Sequence, residues 1–185
     1  MTVTPETTSA KTAAVRFPPV IVMGVTGCGK TEVGSALARK LGAEFVEGDA
    51  FHPPENIARM ASGIPLDDEH RAGWLDTIAA EIAGRTARGA TVVATCSALK
   101  RRYRDRLRSL NPNLVFLHLA LDRQASWERV QARGGHFMPA SLVDSQFADL
   151  EPPSADEAAL RLDALLPVDT LVEQAAAFLA ARPGT

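Results

Sequence analysis

Cysteine is scarce in this 185-residue chain, with Cys28 and Cys96 its only two. So few argue against a disulfide scaffold, point to a reducing compartment, and cannot build a zinc cage by themselves. Long hydrophobic runs are missing too. No apolar stretch approaches the roughly 18 residues of a membrane span, and the first residues lack the apolar core of a secretory signal, so a cytoplasmic location is expected. Charge of one sign is not in excess: 20 Lys and Arg face 22 Asp and Glu, a net charge of −2. That balance gives no general pull toward nucleic acid or an anionic membrane, and any cationic site has to be local. Internal repeats are absent. The remaining composition, 46% hydrophobic and 23% charged, suits one globular domain with a single sizeable core. Residues 1–19, rich in Thr and Ala and ending in Phe17, Pro18 and Pro19, are expected to form a disordered or loosely attached tail, and 20–185 one domain.

The chain is organised around Gly24 to Thr31, which reads GVTGCGKT and fits GxxxxGK[ST], the P-loop pattern. Such a loop presents backbone N–H groups to phosphate oxygens at a helix N-terminus. Gly24, Gly27 and Gly29 permit backbone approaches that a Cβ would block. Val25, Thr26 and Cys28 complete the cradle, Lys30 supplies a cation for the β- and γ-phosphates, and the Thr31 hydroxyl is placed to ligate Mg²⁺. The context is that of a true P-loop. Val20 to Met23 form a short apolar run fit for a buried strand, and Val33, Ala36, Leu37 and Leu41 follow at helical spacing. Cys28, at a helix N-terminus, is expected to be readily alkylated and protected by bound nucleotide.

Further along, apolar runs and breakers alternate. Ala43 to Glu47 read as a second strand, which puts Asp49 at a strand's C-terminal end, where ligands bind in open α/β sheets. Pro53 and Pro54 open a short helix that Gly63 stops, and Asp67 can cap a longer one with Trp74, Leu75, Ile78 and Ile82 facing inward. Thr91 to Cys96 form a third strand, with Ser97 placed to cap the basic helix SALKRRYRDRLRSL. Leu114 to Leu119 give a fourth strand, and a helix from Asp122 to Arg133 follows. Gly134 and Gly135 then break the chain, so a mobile lid is expected over about 129–141. Ser141 to Leu150, Leu160 to Asp163 and Val168 to Ala181 read as helix, strand and helix. The pattern predicts an α/β P-loop fold, a doubly wound five-stranded parallel sheet with helices on both faces.

A switch GTPase or motor ATPase would carry a strand ending in a metal-binding aspartate. The third strand ends instead in Cys96 and Ser97, and no NKxD guanine-reading sequence occurs. Small-molecule phosphotransferases remain, and they need an acceptor pocket, a group for the acceptor's proton, and a lid that excludes water. The stretches GVTGCGKT, GDAFHPPENIARMASGIPLDD, CSALKRRYRD and ARGGHFMPASLVDSQFADLE, in that order, resemble the gluconokinase family of small P-loop kinases over residues 20 to 170. One departure is visible, Gly73 where the family's RxPW segment has proline, which is expected to loosen the start of its helix. The resemblance implies a nucleoside-monophosphate-kinase-like fold, often homodimeric, that uses ATP and Mg²⁺ to phosphorylate D-gluconate at its 6-hydroxyl. The competing readings are a kinase for another small acid such as shikimate, a nucleoside-monophosphate kinase, and a regulator that binds nucleotide without transfer.

A gluconate pocket should mix cations with hydrogen-bonding groups. Asp49, matching the family's GD motif, is expected to orient the 6-hydroxyl, take its proton and share Mg²⁺, directly or through water. His52 is assigned a substrate hydroxyl. Arg71 is the first choice for the substrate carboxylate, with a surface ion pair to Asp67 or Asp68 as the alternative. Lys100 and Arg101 lie near the presumed phosphate site, whereas Arg104 and Arg108 read as a solvated basic face. Arg129 and Arg133 resemble lid arginines, the first stacking on adenine and the second reaching the phosphates. His136 and Gln146 are further contacts, and His118, on an apolar strand, reads as a satisfied core histidine.

Overall fold

The computed structural model describes residues 17–132 and 140–182. Five strands, β1 (Val20–Met23), β2 (Glu44–Val46), β3 (Val92–Thr95), β4 (Val115–Ala120) and β5 (Ala159–Asp163), form one sheet in the order β2-β3-β1-β4-β5. Every pairing is parallel. Strands buried on both faces read as continuous apolar runs, and VIVM, VVAT and VFLHLA do so.

Alternate residues of these strands feed two cores. Val20, Val22, Leu117 and Leu119 pack against Leu37 of α1 (Lys30–Leu41) and Leu171 and Leu179 of α7 (Val168–Ala180). On the other face Ile21, Met23, Ala94 and Phe116 meet Trp74, Leu75, Ile78 and Ile82 of α3 (Asp68–Ala87) and Leu107 of α4 (Arg101–Arg108). The helical face of α3 predicted from its i, i+4, i+8 spacing is therefore the buried one, and Gly73 does not loosen it: the helix runs unbroken through that residue. Asp67 caps α3, its carboxylate accepting from His70 N–H at 3.0 Å. Phe17 packs against the first core and Val115 N–H donates to Pro19 O, so the residues just before β1 are tied to the domain.

Three shorter helices complete the domain: α2 (Pro54–Ala61), α5 (Arg123–Ala132) and α6 (Ala140–Asp149). One boundary differs from expectation. α4 begins at Arg101, four residues after Ser97, because residues 97–100 instead make a tight buried turn in which Ala98 takes a left-handed φ of 45°. Ser97 thus caps nothing; its carbonyl accepts from Gly24 N–H at 3.3 Å and ties this turn to the P-loop. All five parallel strands end on one edge. β1 lies between β3 and β4, so the connections that leave it and its neighbours diverge there and open a crevice at the switch point.

Candidate active site

The P-loop follows β1 at that switch point. Gly24 has φ 143°, and a Cβ there would lie 2.7 Å from Leu119 O, so only glycine lets β1 turn out beside β4. Gly29, at the N-cap of α1, is left-handed with φ 92° and open space where a Cβ would stand. Lys30 Nζ curls back to donate to Gly24 O (3.1 Å) and Val25 O (3.0 Å), which holds its cation at the mouth of the loop. Thr31 is exposed on the first helical turn. Cys28 is 1% exposed, with Sγ 3.8 Å from Lys30 Nζ. Its thiol is enclosed by the loop, which corrects the expectation of ready alkylation: a reagent reaches it only when the loop opens.

Two other elements grip this loop. Ser126 of α5 donates to Thr26 O at 2.8 Å, while Thr26 N–H donates to Gln146 Oε1 of α6 at 2.7 Å. Gln146 therefore stands on the P-loop side of the crevice. Arg129 lies beside it, donating to Gly27 O at 3.4 Å and to Ala164 O, just after β5, at 2.9 Å.

A second turn, expected to face the acceptor, is built after β2. Gly48–Phe51 form a 3-10 turn. Thr95 fixes its first residue, because Gly48 N–H donates to Thr95 Oγ1 at 3.1 Å and a Cβ on Gly48 would sit 1.9 Å from Thr95 O. From this turn Asp49 projects with 67% of its side chain exposed. His52 lies behind it, Nε2 at 4.0 Å from Asp49 Oδ1, with its ring stacked on Trp74 at 4.1 Å and 16°. Burial lowers the His52 pKa, with the Asp49 charge opposing and the Arg71 charge adding to the shift, so the ring is neutral at neutral pH. Cys96, fully buried at the end of β3, feels Asp49, Lys30 and Arg71 together; burial chiefly pushes its thiol up to about 12. The charges of Lys30, Asp49 and Arg71 thus all reach the end of β3.

Arg71 is buried rather than on the surface. Its Nε donates to Leu66 O at 3.1 Å, and its nearest carboxylate is Asp149 of α6 at 4.0 Å, not Asp67 or Asp68. Lys100 Nζ contacts Asp68 Oδ1 and Asp149 Oδ1, both at 3.0 Å. The ring of Tyr103 lies beneath Arg71 and Lys100, at 5.8 and 5.6 Å, while its hydroxyl donates to Asp68. Arg101 does not join them. Its guanidinium is exposed and bidentate to Asp156, 2.9 and 2.7 Å. Arg104 and Arg108 correct the expected solvated face: Arg104 is 1% exposed and paired with Glu157, and Arg108 Nη1 meets the same carboxylate at 3.0 Å. Arginine at helical spacing looks like a wet face unless a distant carboxylate folds against it, and Glu157 is 53 residues away.

Arg133 and His136, together with most of the expected lid, lie outside the described residues. Trp74, Tyr103 and Asp149 were not legible as site residues: the first two have helical core spacing, and Asp149 is one carboxylate among many until α6 brings it to Lys100. His118 is 3% exposed, and its Nδ1 finds no hydrogen-bond partner among the described residues, so it is buried without being satisfied. Among those residues no cluster of three or more His, Cys, Asp or Glu could hold a metal alone. Thr31 and Asp49 are hard oxygen donors of the kind that share Mg²⁺ with phosphate oxygens and water. No helix among them is long and apolar enough to cross a membrane.

Comparison with known proteins agrees with this geometry. The AAA domain family profile matches residues 20–153. A gluconokinase from Gluconobacter oxydans is 44% identical over 155 residues, covering 84% of this chain and 87% of its own. Among solved structures, a sugar kinase from Janibacter sp. HTCC2649 superposes with TM-score 0.85 at 47% identity, over 90% of this chain and 96% of that one. A gluconokinase from Sinorhizobium meliloti 1021 gives 0.81 at 45%, over 90% and 94%. With its P-loop and the Asp49 turn at one sheet edge, and with relatives of this identity along nearly its whole folded length, the chain belongs to the gluconokinase family of P-loop kinases.

Proposed function

We propose that the protein transfers the γ-phosphoryl group of ATP to the 6-hydroxyl of D-gluconate, giving 6-phospho-D-gluconate and ADP. The observation that carries this reading is that the P-loop and the Asp49 turn are both tied to the end of β3, Gly24 N–H donating to Ser97 O and Gly48 N–H to Thr95 Oγ1. This sets the Lys30 loop beside the Asp49 carboxylate, with the buried Arg71 guanidinium against Asp149 of α6 as the anion-binding group. The family's named members are gluconokinases. ATP fits the loop because the left-handed Gly29 leaves its amide edge open and Lys30 stands at the mouth. Thr31 and Asp49 would hold Mg²⁺, which, when bound, offsets charge on the phosphate oxygens.

The chain's own groups divide the work. Lys30 counters negative charge on the phosphoryl group as it moves in line to the acceptor. Asp49 accepts a hydrogen bond from the 6-hydroxyl, orients its lone pair, and takes its proton as the new P–O bond forms. Arg71 binds the carboxylate at the far end of the sugar acid, and Lys100, already neutralised by Asp68 and Asp149, steadies that wall. His52 supplies a neutral imidazole to a hydroxyl. Arg129, braced between the P-loop and Ala164, offers a flat guanidinium face to the base. ADP release from MgATP should be stimulated by D-gluconate but not by shikimate or common nucleoside monophosphates, and should vanish in Asp49→Asn. No stimulation by gluconate, with nucleotide binding intact, would overturn the assignment.

A further inference from the structure

Asp49 has few constraints of its own. Its side chain is largely exposed, and among the described residues its close titratable neighbour is the neutral ring of His52 at 4.0 Å. The position of its carboxylate is therefore set by the backbone of the Gly48–Phe51 turn. That turn is clamped from two sides. β3 holds one side through Thr95, whose hydroxyl accepts from Gly48 N–H and whose carbonyl leaves no room for a Cβ. The indole of Trp74 holds the other, Nε1 donating to Gly48 O at 2.8 Å. The same indole is stacked on His52, whose buried Nδ1 has no hydrogen-bond partner among the described residues. The imidazole is thus oriented chiefly by the stack.

We infer that Trp74 is a positioning residue for phosphoryl transfer, holding through one ring both the turn that aims Asp49 and the imidazole that aims at the acceptor. Its spacing on α3 marks it as core, and most of its surface is core. Its nitrogen and one face are not: they contact Gly48, the first residue of the turn, and His52, the residue that follows it. A displacement of about 1 Å in the group that orients an attacking hydroxyl can cost on the order of 10²-fold in rate, even where ground-state binding is little changed. This inference rests on the reading of Asp49 as the group that positions the acceptor hydroxyl.

The test uses Trp74→Phe, which keeps an aromatic face for His52 and most of the buried volume but removes the donor to Gly48, alongside Trp74→Leu, which removes donor and stack. For Trp74→Phe, kcat should fall at least 10-fold, with the KM for ATP and for gluconate within about 3-fold of the parent, because neither the P-loop nor Arg71 is touched. Trp74→Leu should lower kcat further and also raise the gluconate KM, since His52 is then released. Thermal melts of each variant show that the assay temperature lies below unfolding. A kcat for Trp74→Phe within 2-fold of the parent, while Asp49→Asn is inactive, would overturn the role of Trp74 and leave the acceptor reading standing. Substantial turnover by Asp49→Asn would instead remove the acceptor reading itself. If Trp74→Leu fails to fold, Trp74→Phe alone decides the matter.

Discussion

Replacing Arg104 by methionine should be among the most damaging single changes outside the P-loop, and the structure says why. The guanidinium is buried and spends nearly all its donors: Nε and Nη2 on Glu157 at 2.7 and 2.8 Å, and Nη1 on Ala98 O, Leu99 O and Glu151 O at 3.1, 3.1 and 2.9 Å. Three of those acceptors belong to the left-handed turn before α4 and to the chain just after α6. Arg104→Met takes the main partner from a carboxylate that is itself 1% exposed, leaving it only Arg108 and Ser154. Breaking one side of a buried pair costs about 3–5 kcal/mol, and the released carbonyls add roughly 1 kcal/mol more. A loss of about 4–6 kcal/mol is a large part of the 5–15 kcal/mol that holds a domain of this kind together. Urea unfolding followed by circular dichroism at 25 °C measures it. Glu157→Gln should lose about 3–5 kcal/mol for the mirror-image reason. The double variant Arg104→Met, Glu157→Leu should be at least about 2 kcal/mol more stable than the sum of the two single losses, because both buried charges leave together and Arg108 keeps Asp105. Lys100 sits at the end of the same turn, so the gluconate KM of Arg104→Met should rise as well. Single losses below about 1 kcal/mol, or strictly additive losses in the double variant, would refute the reasoning.

The remaining predictions concern the site and the pH dependence. Lys30→Ala should lower kcat by at least about 10²–10³-fold in a coupled ADP assay, since it removes a preorganised charge from the transferring group. Arg71→Ala should raise the KM for gluconate roughly 10- to 100-fold with kcat largely kept, the value of about 1.5–3 kcal/mol for a charge-assisted contact; an unchanged KM would take Arg71 out of the pocket. Gln146→Leu leaves Thr26 N–H without its acceptor and should raise the KM for ATP about 5- to 10-fold without moving that for gluconate, as measured by varying each substrate in turn. Burial in β4, with the charges of Arg161 and Arg104 adding, lowers the His118 pKa from 6.5 to about 4. The unfolded chain therefore takes up this proton first: stability is full above pH 6.5 and falls toward pH 4, by up to about 3 kcal/mol. His118→Phe should flatten that part of a urea-stability profile, and an unchanged slope would show that His118 is not its source.

Much of this protein is determined by sequence-local physics. GVTGCGKT is a loop because its glycines permit backbone that other residues do not, and the apolar strand before it and the helical spacing after it specify strand, loop and helix without distant contacts. The same local logic placed Asp49 at a strand's end, capped α3 with Asp67, and separated small kinases from switch GTPases. Tertiary structure decided the pairings that cross the chain. Arg104 becomes a core residue only because Glu157 folds onto it, and Lys100 acquires its two carboxylates from α3 and α6, 32 and 49 residues away. Gln146 moves to the P-loop because α6 packs beside α5, and Trp74 divides its surface between core and acceptor turn because β2 and β3 end together. Such roles depend on where charges and ring edges meet in space, and hydrophobic periodicity records only which face of a helix is dry.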